Sequence, residues 1–266
     1  MQGAYKLILN GNYGKLNETT NWQYSPFTAM CVTIGCQIDI LMLIELLETN
    51  GISVISANTD GIVCLMKKSQ ESLYMKLCEE WEKIVGNDVL GKLEFQDYVL
   101  LAQTSVNDYI AITKEGKIKE KGDFEVVKQL HKNNGASIIP LSIEKYFVDG
   151  IDYKTFIHSH NKIEDFCMAI KGKRNFKTVL HKIVKGEYTK KEGQKITRYY
   201  VSTDGGTLVK EYNDGRIINA ESECKCTFAN ILPDVFPSNV NYKYYIEQVE
   251  KILFSIEQNS KQLNLF

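Results

Sequence analysis

Residues 25–51 constrain this chain more than any other stretch. Ser25 offers a side-chain oxygen to the unpaired N–H groups of a helix start, and Pro26 suits the first helical position. Apolar side chains recur at 27, 30, 31, 34, 38, 41, 42 and 46, and Asn50-Gly51 supplies a stop. The pattern predicts one amphipathic helix of about 24 residues, ~36 Å long. Thr33, Gln37, Asp39 and Glu45 interrupt the apolar run, which argues against a membrane span. Directly after it, 52–56 and 62–66 are β-rich runs around Ala57-Asn58-Thr59-Asp60-Gly61, which predicts a hairpin.

The rest of the chain reads in the same way. Residues 1–14 predict the end of a helix, with Gly11 and Gly14 breaking its pattern. A helix is expected over 69–85, strands over 92–112, and a turn at Lys114-Glu115-Gly116-Lys117. Past Pro140 the character changes. Helical segments are expected at 141–149, 152–158, 162–171 and 175–185, a hairpin over 196–210 turning at Asp204-Gly205-Gly206, and a helix over 242–258.

Apolar residues make up 44% of the 266, enough for a real core, and the net charge is −1. The charge is uneven, however. Between Lys171 and Arg198 ten Lys/Arg face only Glu187 and Glu192. The seven cysteines are scattered and read as free thiols of a reducing compartment, and no signal peptide opens the sequence, so a cytoplasmic setting is expected. Cys224-Lys-Cys226 has the wrong spacing for a zinc knuckle.

Chemistry concentrates near the N-terminus. An Asp at a tight turn between two strands is displayed at a fixed point, as a rigid Mg²⁺ ligand must be. Upstream, Lys6, Asn10 and Tyr13 lie four and three apart and share a helix face. Lys can meet a triphosphate, Asn can bond phosphate or sugar oxygens, and Tyr offers a flat ring with a polar tip.

Lys6-Leu-Ile-Leu-Asn10-Gly-Asn-Tyr13-Gly14 resembles the K-x-x-x-N-S-x-Y-G motif of family B DNA polymerases, and Ser56-Ala-Asn58-Thr59-Asp60-Gly61 is similar to that family's D-T-D-S hairpin. The order is right, and a long helix intervenes in both. The resemblance implies an α+β chain, with a palm (an antiparallel sheet with packed helices) followed by a mainly helical thumb. It implies end of fingers and palm over 1–140, thumb over 141–258 and a tail over 259–266. Asp60 and Lys6 would be catalytic, Asp60 as Mg²⁺ ligand, with Lys6, Asn10 and Tyr13 binding the incoming dNTP. Asn58 replaces the first Asp, and Gly11 and Gly61 each replace a Ser, as in a divergent phage or mobile-element branch of a bacterial host.

Further matches follow. Tyr109 corresponds to the Tyr of the K-x-Y primer element, with Asn107 in place of the Lys. Lys119 and Lys121 resemble part of the G-K-x-K-x-K-G turn, and Glu94 is a candidate auxiliary acid. The run containing Lys171, Lys173, Arg174 and Lys177 falls where the thumb grips primer-template DNA. At the end, Gln262, Leu263, Leu265 and Phe266 resemble the bacterial sliding-clamp peptide Q-L-x-L-F, with Leu and Phe anchors for an apolar pocket.

One part of the chemistry is missing. The second metal-binding Asp of the D-x-x-S-L-Y-P strand does not occur in these 266 residues. A two-metal mechanism needs it. The expectation is therefore a C-terminal portion that works with an N-terminal polymerase portion. The competing expectations are a non-catalytic DNA-binding and clamp-tethering module or, less favoured, another palm-type nucleotidyltransferase such as a cyclase. No membrane partner is expected.

Overall fold

The computed structural model describes residues 2–59, 61–86, 92–126, 135–184, 186–221 and 224–263. The chain forms two compact units, Met1–Gln96 and Asp97–Phe266.

The first unit opens with α1 (Gln2–Lys15) and α2 (Pro26–Thr49). Gly11 and Gly14 do not end α1, which runs through both. Ser25 caps α2 as its sequence predicts, its side chain accepting from the Thr28 N–H, with Pro26 in the first turn. The helix is 24 residues long. Gly51, at φ 78°, takes the left-handed conformation that lets the chain leave it. Next come β1 (Ser53–Asn58), β2 (Gly61–Leu65) and α3 (Glu71–Ile84). β1 and β2 pair antiparallel from Ser53 with Leu65 to Asn58 with Gly61.

The core of this unit is small. Leu43, Leu47, Ile52, Leu77, Cys78 and Trp81 are buried together, and the Trp81 indole donates to the Asp39 carbonyl at 2.7 Å. The apolar stripe predicted for α2 is not the buried one. Leu43 and Leu47 face the core, while Phe27, Met30, Ile34, Ile38 and Leu41 are exposed. A helix apolar on nearly all sides gives periodicity no face to choose. By length and apolar character α2 could also cross a membrane. Its C-terminal half, however, is committed to the core of this unit.

The second unit begins with β3 (Tyr98–Ser105), β4 (Asp108–Thr113) and β5 (Ile118–Lys121), an antiparallel meander. Residues 92–97 form no strand, so the strands expected from 92 begin at Tyr98. Then follow α4 (Ile138–Asp149), α5 (Tyr153–Ser159) and α6 (Ile163–Phe166), seven strands, and α7 (Tyr242–Leu263). The strands are β6 (Met168–Lys171), β7 (Phe176–Val184), β8 (Glu187–Glu192), β9 (Ile196–Ser202), β10 (Gly206–Tyr212), β11 (Ile217–Asn219) and β12 (Lys225–Phe228). They form one antiparallel sheet in the order β6-β9-β12-β10-β7-β8, with β11 beside β10.

This sheet corrects the expectation of a mainly helical region over 141–258. Residues 175–185 carry β7 rather than a helix, and the segment expected to be helical to 171 ends as β6. Thr178, Val179, Ile183 and Val184 are β-branched and favour the pleated surface. The hairpin expected over 196–210 is also absent, because β12 lies between β9 and β10. Asp204-Gly205-Gly206 is a crossing point. A Cβ on Gly205 would sit 2.1 Å from the Cys226 carbonyl oxygen, and one on Gly206 2.5 Å from that of His181. The two glycines answer the close approach of β12 and β7.

Helices and sheet share one core. Phe166 is fully buried, with the rings of Phe236, Tyr242 and Tyr245 packed edge-on around it. The buried Tyr245 hydroxyl donates to the Phe166 carbonyl at 2.8 Å and accepts from the Val201 N–H at 2.9 Å. Ala102, Ile110 and Phe124 join the same cluster, so the β3–β5 meander is part of this unit.

Candidate functional site

The first group lies on α1 and the hairpin. Lys6, Asn10 and Tyr13 are all on α1, as their spacing predicts. The Lys6 side chain lies outside the described part of the chain. Asn10 is exposed, and so is the Tyr13 ring at 42%. The Tyr13 hydroxyl meets Thr33 Oγ1 on α2 at 2.7 Å. Thr33 in turn donates to the Ala29 carbonyl at 2.9 Å, so Tyr13 is the donor of the pair. This bond fixes the phenol tip and ties α1 to α2 while the ring stays open. Gly14 would meet nothing within 4 Å if it carried a Cβ, so space for a nucleotide or partner remains beside it.

At the hairpin tip, Asn58 pairs with Gly61 across the ladder, and Asn58 Oδ1 accepts the Gly61 N–H at 2.9 Å. Positions 59 and 60 connect the two strands. Asp60 itself lies outside the described residues. Asn58 supplies its side-chain oxygen to hold the turn, a task that Asn performs well. Among the described residues no group of three or more His, Cys, Asp or Glu could hold a metal ion.

A second group lies on the β3–β5 meander. Tyr109 pairs with Lys121, and Ala111 pairs with Lys119. Directly paired residues point to the same side, so Tyr109, Lys119 and Lys121 share one face. All three are half-buried. The Lys119 ammonium lies 5.4 Å from the centre of the Tyr98 ring, a cation–π distance. Glu120 points to the other side, and one of its buried carboxyl oxygens has no partner among the described residues. Burial first, then Glu144 and Glu125, raises its pKa above the usual carboxylate value. Asn107 sits in the β3–β4 turn, its N–H bonded to Ser105 Oγ at 3.2 Å. Glu94 is exposed on the strandless segment in the first unit.

The basic run from Lys171 lies on sheet edges and turns. Lys171 ends β6, Lys173 and Arg174 occupy the turn before β7, and Lys177 starts that strand; all four are exposed. The run is less unopposed than its sequence suggests. Lys177 pairs with Glu192 at 2.6 Å, and Lys190 pairs with Glu211 at 2.7 Å, a carboxylate that β10 brings from outside the run. These contacts raise both lysine pKa values. Lys171, Lys173 and Arg174 lie at the neighbouring edge and turn, between β6 and β7.

Gln262 and Leu263 fall on the last turn of α7, their side chains outside the described part; Leu265 and Phe266 lie outside the described residues. The start of that turn is anchored. Asn259 Nδ2 donates to the Gln103 and Thr104 carbonyls at 3.2 and 3.1 Å.

Sequence reading missed one polar network, formed by His181, Tyr188, Lys190 and Glu211 on three neighbouring strands. No linear motif marks it. Strand alternation could have revealed it only with β7 assigned as a strand. No protein-family model matches this chain, and no curated protein matches it significantly.

Proposed function

We propose that this chain is the C-terminal part of a family B DNA-directed DNA polymerase. It carries out template-directed nucleotidyl transfer from dNTPs to a primer 3′ end, together with a polypeptide segment that supplies the second catalytic Asp. The observation that carries this reading is the order of parts around the hairpin. An N-terminal helix bears Lys6, Asn10 and Tyr13. The 24-residue α2 follows, then a hairpin whose paired ends Asn58 and Gly61 enclose positions 59 and 60. Asp60 is the Mg²⁺ ligand, Lys6 and Asn10 meet the triphosphate, and Tyr13 sits near the minor-groove side of the nascent base pair.

Two further features support it. Tyr109, Lys119 and Lys121 share a face suited to backbone phosphates. The exposed stripe Phe27, Met30, Ile34, Ile38 and Leu41 is the kind of surface that a protein partner covers. The occupant is the N-terminal polymerase portion, because the missing Asp strand must reach the Asp60 hairpin. Lys171, Lys173, Arg174 and Lys177 grip the duplex, and the 262–266 tail engages a bacterial-type sliding clamp. The setting is the cytoplasm of a bacterial host.

The second reading is a DNA-binding and clamp-tethering module without chemistry. It is favoured by Asn58, which replaces one motif carboxylate and spends its oxygen on the turn. Co-expression with the polypeptide encoded upstream separates the two. The first reading expects Mg²⁺-dependent primer extension by the pair. Salt-sensitive DNA binding without synthesis by the pair would favour the second.

A further inference from the structure

The solvent side of the β7–β8–β10 ladder carries a phenol, an imidazole and a carboxylate in series. Ile183 pairs with Tyr188 and His181 with Lys190, so Tyr188 and His181 are diagonal neighbours on one face. The Tyr188 hydroxyl lies 2.6 Å from His181 Nδ1. His181 Nε2 lies 2.8 Å from Glu211 Oε1. Lys190, at 2.7 Å from the same carboxylate oxygen, and His181 hold the Glu211 carboxyl below its usual pKa.

These contacts assign the protons. An ionised Glu211 only accepts, so the His181 Nε2 carries its hydrogen toward it. In the neutral ring Nδ1 is then the acceptor, and the Tyr188 hydroxyl donates to it. This is the layout that activates a hydroxyl nucleophile: nucleophile on base, and base on an orienting carboxylate. His181 and Glu211 side chains are 13% and 18% exposed, whereas the Tyr188 ring is 58% exposed. The base is sheltered and the nucleophile presented.

We propose that Tyr188 is an activated phenol that accepts a phosphoryl group from an activated phosphoryl donor, with His181 as base and Glu211 as the residue that orients it. The phosphoryl class follows from the surroundings. The Lys190 ammonium, bonded to Glu211 at 2.7 Å, lies 6.0 Å from the centre of the Tyr188 ring, and its remaining N–H groups can meet a phosphoryl oxygen held at the phenol. In the step, Tyr188 Oη forms a bond to phosphorus and the bond from phosphorus to the leaving group breaks. The leaving group departs with that electron pair. The phenol proton passes to His181 Nδ1, giving an imidazolium held by Glu211. The site is open, so it suits a single transfer rather than turnover. It stands apart from the nucleotidyl-transfer reading.

A biotinylated fluorophosphonate tests this, because its phosphorus loses fluoride on attack. The full chain is treated at pH 7.5 and adducts are mapped by peptide mass spectrometry. Tyr5 and Tyr24, exposed at 64% and 46%, are internal controls. Tyr188 is expected to react at least about 10-fold faster than either control. His181→Ala should slow it roughly 100-fold, the scale of a positioned general base, and added imidazole should restore part of the rate. Glu211→Gln should slow it by a smaller factor and keeps the test open if His181→Ala does not fold. Labelling of Tyr188 no faster than Tyr5, or unchanged in a folded His181 or Glu211 variant, overturns the proposal.

Discussion

The two units of this chain solve the burial problem differently. In Asp97–Phe266, sheet, meander and helices close around one cluster in which Ile110, Phe124, Phe166, Val201 and Tyr245 are buried, and the deepest phenol has a donor and an acceptor. In Met1–Gln96, two long helices and a hairpin bury six residues together, while Leu7, Trp22, Phe27 and Leu41 stay exposed at 60% or more. The second unit also exposes apolar side chains, Ile231 and Val235 among them, but those of the first unit include a row along α2, the kind of surface that a partner covers. The candidate nucleotide residues sit in the unit with the uncovered stripe.

Core deletions should break the comparison most sharply. Phe166→Ala is expected to cost about 3–5 kcal/mol and to unfold the second unit first. Leu47→Ala is expected to cost about 2–5 kcal/mol and to open the first unit. Hydrogen exchange followed by mass spectrometry would locate each loss; protection lost evenly across both units would contradict the division.

The exposed stripe sharpens it next. Phe27→Asp should leave the stability of the isolated chain within about 0.5 kcal/mol, since the side chain is already largely in water. The same change should weaken capture of the N-terminal portion by more than an order of magnitude, as for an interface anchor. A large drop in melting temperature would instead mean that the stripe is core.

A smaller effect is expected at the cap of α2. Ser25→Ala removes the acceptor for the Thr28 N–H and should cost about 1 kcal/mol, read by chemical denaturation as a change within the first unit.

Acid should separate the units more gently. The carboxylates held below their usual pKa (4.5 for Glu, 3.8 for Asp) all lie in the second unit among the described residues. Lys190 and His181 lower Glu211, the Thr155 N–H and hydroxyl lower Asp152, and Lys154 lowers Glu250. A lowered folded pKa contributes stability that is present above the unfolded value and lost as pH falls through the folded one. The second unit should therefore lose stability as pH drops below 4.5, measured by thermal melts at fixed salt. A gain over that range would contradict these pairings.

Legibility followed the range of the interactions. Ser25-Pro26 and Asn50-Gly51 carry their meaning locally, so α2 could be read to the residue. The hairpin behind it was equally plain. The buried face of α2 was not, because Leu43, Leu47 and Ile34, Ile38 are equally apolar and only packing distinguishes them. Residues 175–185 were expected as a helix, whereas their antiparallel pairing with β10 and β8 shows a strand. Gly205-Gly206 looked like a turn because turns and close strand crossings ask for the same residue. At the candidate site, the helical face of Asn10 and Tyr13 and the shared side of Lys119 and Lys121 were visible as spacings. The Tyr188–His181–Glu211 series joins three strands and became readable only with their register.

The most direct measurement is primer extension with Mg²⁺ and dNTPs, run with the 266-residue chain alone, with the co-expressed N-terminal portion, and with that pair carrying Asp60→Ala. The account predicts no synthesis by the chain alone, synthesis by the pair, and its loss in the variant. Robust synthesis by the chain alone, or by the pair despite Asp60→Ala, would contradict it.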